Sequence, residues 1–233
     1  RDMIRKALSF SHMQKNRRWA LILAYFFLVV FMIFFLFPPY YMLVTSFKTN
    51  AEISSVKGMP WIINQKPTLY HYKNLLTNTY FLTHFKNTAI VTIFTVAISM
   101  TISILAAYSL SRMRFFGSAI LATGVFLTYL VPETLLFIPL FKVLGALGLL
   151  NSKWALVLVY PTLAVPFCTW IMIGYFGSIP KALDEAALID GARWYQMLFR
   201  IFIPVAMPGI IAATIFAFTI SWANFLYPLA FVY

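Results

Sequence analysis

The chain has 233 residues, of which 62% are hydrophobic and only 10% are charged, and its mean hydropathy is +0.84. Soluble domains average about 45–50% apolar and about 25% charged residues, so this composition excludes a soluble globular domain and indicates an integral membrane protein. The net charge of +12 could suggest nucleic-acid binding. The basic residues, however, lie between apolar runs and form no continuous patch, so nucleic acid is not expected as a partner. The single cysteine, Cys168, cannot form an internal disulfide and does not indicate a compartment.

A basic segment precedes the first apolar run. Residues 1–18 carry six lysines or arginines against one aspartate, and residues 19–47 contain no charged residue. A run of this length predicts a membrane-spanning helix. The positive-inside tendency places residues 1–18 in the cytoplasm. Pro38 and Pro39 predict that the helix ends or kinks near its far interface.

Residues 48–87 form the predicted external loop, with a short helix around Tyr70–Asn78. The loop has Glu52 as its one acid, and it carries five lysines: Lys48, Lys57, Lys66, Lys73 and Lys86. This excess of positive charge has two interpretations that the sequence does not separate. The loop is a surface that meets a binding protein or guides an anionic solute, or it is an ordinary solvated loop.

Thr88–Leu110 is the second predicted span. Small hydroxyl residues recur along it at steps of three and four, so they share one helical face; they are Thr88, Thr92, Thr95, Ser99 and Ser103. In a bilayer such a face most often serves close helix packing, and a sugar-lined pathway is the alternative. Arg112 and Arg114 then indicate a short cytoplasmic turn that ends at Gly117.

Ser118–Phe141 is the third predicted span, and Glu133 is the one acidic residue that we place at membrane depth. Carboxylates are costly there, so Glu133 is a candidate for a substrate or gating role. The alternative is a hydrated carboxylate, or one that satisfies backbone groups freed by Pro132. Residues 142–153 are predicted to be a short external loop.

Trp154–Phe176 is the fourth predicted span, with kinks expected at Pro161 and Pro166. A fifth span begins at Gly209. Its small residues recur at steps of four and three and predict a tightly packed face; they are Gly209, Ala213, Ala217, Ser221 and Asn224. Because an asparagine in lipid needs a partner, Asn224 is expected to face protein or water.

A charged stretch, residues 178–209, separates the fourth and fifth spans and holds half of the six acidic residues: Asp184, Glu185 and Asp190. Its pattern predicts a short amphipathic helix, a turn at Gly191, and a second short helix from Trp194 that stops before Pro204. Such an insert is typical of a docking element at a membrane surface. The alternative is a helix that lies in the lipid headgroups, which acidic residues facing an anionic leaflet disfavour.

The spacing within this stretch resembles that of a known family. Glu185-Ala186-Ala187, three residues, Gly191, nine residues and then Ile201-Phe202-Ile203-Pro204 is similar to the EAA loop of ABC-importer permeases. The flanking sequences Ile179-Pro180-Lys181 and Ile189-Asp190-Gly191-Ala192 resemble those of the MalG-like subunits, in the carbohydrate branch of these permeases. The resemblance implies that the loop seats in a groove of an ATPase subunit, through Glu185, Ala186, Ala187, Asp190, Gly191, Ile201 and Pro204.

The resemblance continues into the last span. Trp222-Ala223-Asn224-Phe225 is similar to the family's Trp-Asn-acid-Phe motif, with Ala223 in the place of the asparagine and Asn224 in the place of the acidic residue. The candidate residues for a substrate pathway are therefore Glu133, Trp222, Asn224 and Phe225.

The resemblance implies an all-α, polytopic transmembrane helical bundle: a type I ABC-importer permease with a MetI-like core, in a bacterial inner membrane. We expect the chain to comprise four segments: the cytoplasmic residues 1–18, a first span at 19–47, the external loop at 48–87, and the permease core at 88–233, which contains the cytoplasmic loop 178–209. Five spans are visible, and the family's sixth is expected beyond the end of this sequence. The implied partners are a second MalF-like permease subunit, two ATPase subunits and an extracytoplasmic solute-binding protein.

The expected function is the permease subunit of an ATP-driven importer for a carbohydrate, in particular an oligosaccharide. The excess of external lysines suggests, more narrowly, an acidic saccharide. The sequence holds no phosphate-binding Gly-Lys-Ser/Thr loop and no metal-ligand spacing, so ATP and Mg are expected on the partner ATPase and no cofactor on this chain. The alternatives are an ABC permease for a non-sugar solute and an ion-coupled secondary transporter. The latter would need a second repeat and intramembrane coupling carboxylates.

Overall fold

The computed structural model describes residues 2–55, 58–113 and 115–232, with side chains from residue 17 onward. In this part of the chain the regular structure is helical, with no strand, which confirms the all-α class. Three described helices are long and apolar enough to cross a membrane, or up to five if each of two bent helix pairs is one span. The chain divides into two compact units, residues 1–82 and 83–233, which we describe separately.

The first unit begins with α1, Asp2–Ser46, which includes the basic segment and the apolar run. Pro38 and Pro39 lie inside this helix, so the helix does not end at the prolines but continues to Ser46. Each proline removes one backbone donor, whereas leaving the helix would free many more backbone groups among apolar side chains. The remaining hydrogen bonds therefore keep the segment helical.

The rest of the first unit is a folded loop with two short helices, α2 (Asn50–Ser54) and α3 (Tyr70–Asn78). The helix predicted at Tyr70–Asn78 is confirmed, and α2 was not predicted. Lys48 and Glu52 form a buried ion pair at 3.6 Å. The backbone N–H of Asn64 donates to Glu52 at 2.7 Å and, together with Lys48, holds the pKa of Glu52 below its ordinary value.

This ion pair changes the interpretation of the external lysines. The Lys48 ammonium also donates to the carbonyl oxygen of Pro60 at 2.8 Å, so its charge is used inside the loop. Lys66 and Lys73 are exposed, while Lys57 lies outside the described residues. The loop is therefore an ordered structure, and its free basic surface excludes Lys48.

The second unit contains α4 (Phe81–Arg112), α5 (Ser118–Tyr129), α6 (Glu133–Ala146), α7 (Lys153–Ser178), α8 (Ala182–Ile189), α9 (Trp194–Met197), a π-helical segment (Leu198–Phe202), α10 (Ile203–Val205), α11 (Met207–Ala223) and α12 (Leu226–Phe231). Helix α7 is central, because α5, α6, α11 and α12 all pack against it. It also receives a hydrogen bond from α4, where Ser103 Oγ donates to the carbonyl oxygen of Val165 at 3.3 Å.

The third predicted span is not one straight helix. Helices α5 and α6 meet at an angle of 95° across residues 130–132. Pro132 immediately precedes α6, and a proline disfavours helical geometry in the residue before it. Helix α6 then runs past Pro139 to Ala146, so the connection predicted at 142–153 shortens to residues 147–152.

The second helix of the charged stretch does not stop before Pro204. Pro204 lies inside the continuous helical run from Trp194 to Val205, directly after the π-helical segment, and the chain stays helical to Val205. The break comes at Ala206, where the helix pair bends by 80° before α11. The turn therefore lies just before Met207-Pro208.

Small residues form the contact faces of the two helices that flank α7. Gly209, Ala213, Ala217 and Ser221 of α11 are all buried, as the sequence predicted. On α4 the buried face includes Thr92, Thr95, Ser99 and Ser103, which supports the close-packing interpretation of the hydroxyl face.

Gly209 makes the tightest of these approaches and provides a test of the packing. A Cβ at this position would lie 2.4 Å from Cγ of the Tyr175 ring, so we expect Gly209→Ala to destabilise the protein by about 1–3 kcal/mol. The measurement is the apparent melting temperature in detergent, which should fall by several degrees.

The matched control is Gly124→Ala in α5, where the added Cβ would meet no atom within 4 Å. This variant should melt at the temperature of the unaltered protein or above it, because alanine favours helix over glycine. Equal melting temperatures for both variants would contradict the proposed close approach.

Candidate functional site

The loop 178–209 presents α8 with most of its surface exposed. Ala187 is buried at 6% exposure, whereas Ile189 is 86% exposed. Of the predicted docking residues, Glu185, Ala186, Asp190, Gly191 and Pro204 are exposed, and Ile201 is half-buried. Ala187 therefore faces the interior of the unit, and a partner would meet the opposite side of the helix.

Gly191 ends α8 in a fixed turn. Its φ is +72°, a conformation that only glycine adopts readily. The N–H of Ala192 donates to the carbonyl oxygen of Ala187 at 2.9 Å, and the N–H of Gly191 donates to that of Leu188 at 3.1 Å. These two bonds are the pair that closes a Schellman motif. The expected helix–glycine–helix arrangement is present, with the glycine in a hydrogen-bonded turn.

Exposed apolar side chains cluster around this turn. Leu188 and Ile189 precede it and Trp194 follows it, and all three are exposed. The acidic Glu185 and Asp190 lie on the same exposed segment. An apolar surface beside charged residues is typical of a protein-binding site. We call Leu188, Ile189 and Trp194 the tip surface.

Arg112 ties this loop to the ends of two long helices. Its Nη1 donates to Asp184 Oδ2 at 2.9 Å. Its Nη2 donates to the carbonyl oxygens of Ile179, at 2.5 Å, and Phe176. Its guanidinium carbon lies 4.8 Å from the centre of the Phe202 ring. One side chain thus joins α4, the end of α7, α8 and the π-helical segment.

Sequence reasoning missed this arrangement. It placed Arg112 in a cytoplasmic turn and Asp184 on the polar face of a helix, without pairing them. Opposite charges at the end of one helix and in the first turn of another were the available signal. Nothing in their spacing along the chain says that the two helix ends meet.

A cavity of 660 Å³ lies at the bend between α5 and α6. Three of the four predicted pathway residues line it: Glu133, Asn224 and Phe225. Hydroxyl groups from three helices also line it, and they belong to Thr128, Thr162 and Thr219. The cavity therefore combines hydrogen-bonding groups with apolar walls, as ligand sites commonly do.

The side chains of Glu133 and Asn224 face each other in this cavity. Asn224 Oδ1 accepts from the N–H of Tyr227 at 3.1 Å, which orients the amide nitrogen toward Glu133 Oε2 at 3.5 Å. Tyr227 Oη in turn donates to the carbonyl oxygen of Glu133 at 2.9 Å. The break between α11 and α12 thus meets the start of α6 through a connected polar network.

Trp222 does not join these residues. Its ring stacks on Phe218 with the ring centroids 5.3 Å apart and meets Phe85 edge-on at 5.6 Å. It is absent from the described lining of the cavity. Helix α11 ends at Ala223, so Trp222 and Asn224 lie on either side of a break and point to different surroundings.

Comparison with known proteins places this arrangement in a family. Residues 99–232 match the family described as binding-protein-dependent transport system inner membrane component. The chain is 34% identical to the inner membrane ABC transporter permease protein YcjP of Escherichia coli, covering 88% of this chain and 73% of that protein. It is 37% identical to the sulfoquinovosyl glycerol transport system permease protein SmoH of Agrobacterium fabrum, covering 84% and 68%.

A third relative is the trehalose/maltose transport system permease protein MalG of Thermococcus litoralis, which is 33% identical over 84% of this chain and 70% of that protein. Among solved structures, a bacterial ABC transporter involved in the import of the acidic polysaccharide alginate aligns with a TM-score of 0.80 at 24% identity, over 94% of this chain and 76% of that one. This alignment confirms the predicted permease fold. The chain belongs to the family of inner membrane components of binding-protein-dependent transport systems.

Proposed function

We propose that this protein is the transmembrane permease subunit of an ATP-driven importer for a carbohydrate, in particular an oligosaccharide. The observation that carries the proposal is the exposed tip surface on the two sides of the Gly191 turn, in a chain of this family. Relatives named for trehalose/maltose, diacetylchitobiose and galactooligosaccharides support the solute class. The family gives no support to the ion-coupled alternative.

In this proposal the loop 178–209 and the N-terminal segment lie in the cytoplasm. The tip surface, with Glu185 and Asp190, seats in a groove of an ATPase subunit that binds ATP and Mg. A second permease subunit, a second ATPase subunit and an extracytoplasmic binding protein complete the importer. When the ATPase subunits close, they displace α8, and the spans shift between outward-open and inward-open states.

The solute pathway of this subunit is proposed to include the cavity at the α5–α6 bend. Its volume of 660 Å³ is within the range of about 300–1,000 Å³ that small-molecule sites occupy. Glu133, Asn224 and the three threonines offer hydrogen bonds to sugar hydroxyls, and Phe225 offers an apolar surface. An acidic saccharide is the narrower proposal, and the exposed Lys66 and Lys73 are the loop residues that support it.

The docking proposal is tested by cysteine crosslinking to co-expressed ATPase subunits. A cysteine at Ile189 should crosslink, because this side chain is 86% exposed, and the crosslink should change with nucleotide. Ala187→Cys is the matched control two residues away, because its side chain faces the interior. The native Cys168 can stay, since it is fully buried. Labelling of Ile189→Cys by lipid-phase probes instead would favour a helix lying in the headgroups.

A graded series at Gly191 tests whether the turn must keep its geometry. Asparagine tolerates a positive φ, alanine does so at a cost of about 1–2 kcal/mol, and proline cannot adopt it and also removes the N–H that bonds to Leu188. We expect ATP-driven uptake in proteoliposomes to fall in the order Gly191, Gly191→Asn, Gly191→Ala, Gly191→Pro. Full uptake by the proline variant would count against the docking role of this turn.

The cavity is tested by Glu133→Gln, which keeps the shape of the side chain and removes its charge. Hydrogen bonds to charged groups contribute about 1.5–3 kcal/mol, so we expect half-saturation for the transported sugar to rise about tenfold or more. The measurement is uptake across a panel of labelled neutral and acidic oligosaccharides. Trp222→Phe, outside the cavity, serves as the control and should transport normally; unchanged affinity and rate in Glu133→Gln would remove Glu133 from the pathway.

A further inference from the structure

We infer that Arg112 is the positioning residue that transmits movement of α8 to the membrane-spanning helices α4 and α7. This inference rests on the proposed coupling function of the loop 178–209. The guanidinium group is the point where the four elements meet: the end of α4, the end of α7, the first turn of α8 and the Phe202 ring of the π-helical segment.

The bonds of Arg112 are directed at helix ends. The carbonyl groups in the last turn of a helix lack intrahelical donors, and a cation there also complements the helix dipole. Arg112 supplies the charge at this end of α7 and donates to the carbonyl oxygen of the C-cap residue Ile179 and, beside the N–H of Ile179, to that of Phe176. Asp184 lies in the first turn of α8, where a carboxylate is favoured for the same reason. The pair thus links a helix C-terminus to a helix N-terminus.

The pair is shielded from water. The Arg112 side chain is 7% exposed and that of Asp184 is 20% exposed. Low exposure strengthens a charge-assisted hydrogen bond and makes the loss of one partner costly. An ion pair in this position can hold two elements in register, as a fully exposed surface pair cannot.

Helix α8 has little other attachment of its own to the unit. Among its eight described residues, Ala187 alone is buried. A single alanine offers a small apolar contact, so displacement of α8 cannot be passed on mainly through hydrophobic packing. Besides the peptide connections, the described side-chain contact that ties α8 to α4 is the Asp184–Arg112 pair.

Helix α7 connects this pair to the proposed solute cavity. Phe176 accepts the Arg112 hydrogen bond near one end of α7, and Thr162 of the same continuous helix lines the cavity. At a rise of ~1.5 Å per residue the two positions are about 20 Å apart. A shift of the α7 end therefore has a direct covalent route to the cavity wall.

The test measures docking of α8 and transmission of its movement separately. It uses the assembled importer and does not require the solute to be known. Phe225→Cys reports the cavity through its rate of reaction with a water-soluble maleimide, measured with and without ATP plus vanadate. Ile189→Cys reports docking through its crosslink to the ATPase.

We compare Asp184→Asn, which keeps the shape of the side chain, with Arg112→Lys, which keeps the charge but loses the planar fork. Lys181→Gln, an exposed charge beside α8, is the matched control.

We expect Asp184→Asn and Arg112→Lys to retain the Ile189 crosslink while the nucleotide-dependent change in Phe225→Cys labelling falls roughly tenfold, as expected for loss of a charge-assisted hydrogen bond. Lys181→Gln should keep both signals. A full nucleotide response in both variants would overturn the inference. So would loss of the crosslink or of assembly in both, because Arg112 would then serve only the fold. If neither the Ile189→Cys crosslink nor the Phe225→Cys labelling rate changes with nucleotide in protein without other substitutions, the proposed function itself is contradicted.

Discussion

The hydrogen-bonded ion pair of Arg112 with Asp184 is the interaction that joins α8 to the ends of α4 and α7. Removing one partner of such a shielded pair typically costs about 3–5 kcal/mol, because the other charge is left without compensation. The same guanidinium also satisfies carbonyl groups at the end of α7. One guanidinium group therefore joins the first turn of α8 to the ends of both long helices.

A second constraint is the need of backbone groups for partners in an apolar surrounding. It keeps α1 helical through Pro38 and Pro39. At Pro132 the outcome differs, since the chain turns by 95° and a polar network meets the break. Tyr227 and Asn224 supply that network next to Glu133. The break thus lies at a cavity whose walls can form hydrogen bonds. Irregular backbone at membrane depth is tolerated where it lines such a cavity.

The folded loop of the first unit shows how a simple charge count can mislead. Five lysines against one glutamate suggested a broad basic surface, yet Lys48 is buried in its pair with Glu52. Lys48 lies just before the short helix α2 and Glu52 lies within it, and backbone groups of Pro60 and Asn64 complete the pair. Charge that is consumed in folding the loop is not available to attract a solute.

The sequence by itself determined the class of the protein, the apolar runs, the packing faces of α4 and α11, and the motif of the loop 178–209. The class, the apolar runs and the packing faces follow from composition and periodicity, which are local properties of the chain. The motif was identified by its resemblance to a known family. The sequence also selected Glu133 and Asn224, because polar residues within apolar runs stand out. Only the tertiary structure decided which of these residues meet. It paired Arg112 with Asp184, brought Asn224 to Glu133, turned Ala187 inward and excluded Trp222 from the cavity. Each of these outcomes depends on where helices bend and cross, and contacts between residues far apart in the chain are set by packing geometry that spacing along the sequence does not encode.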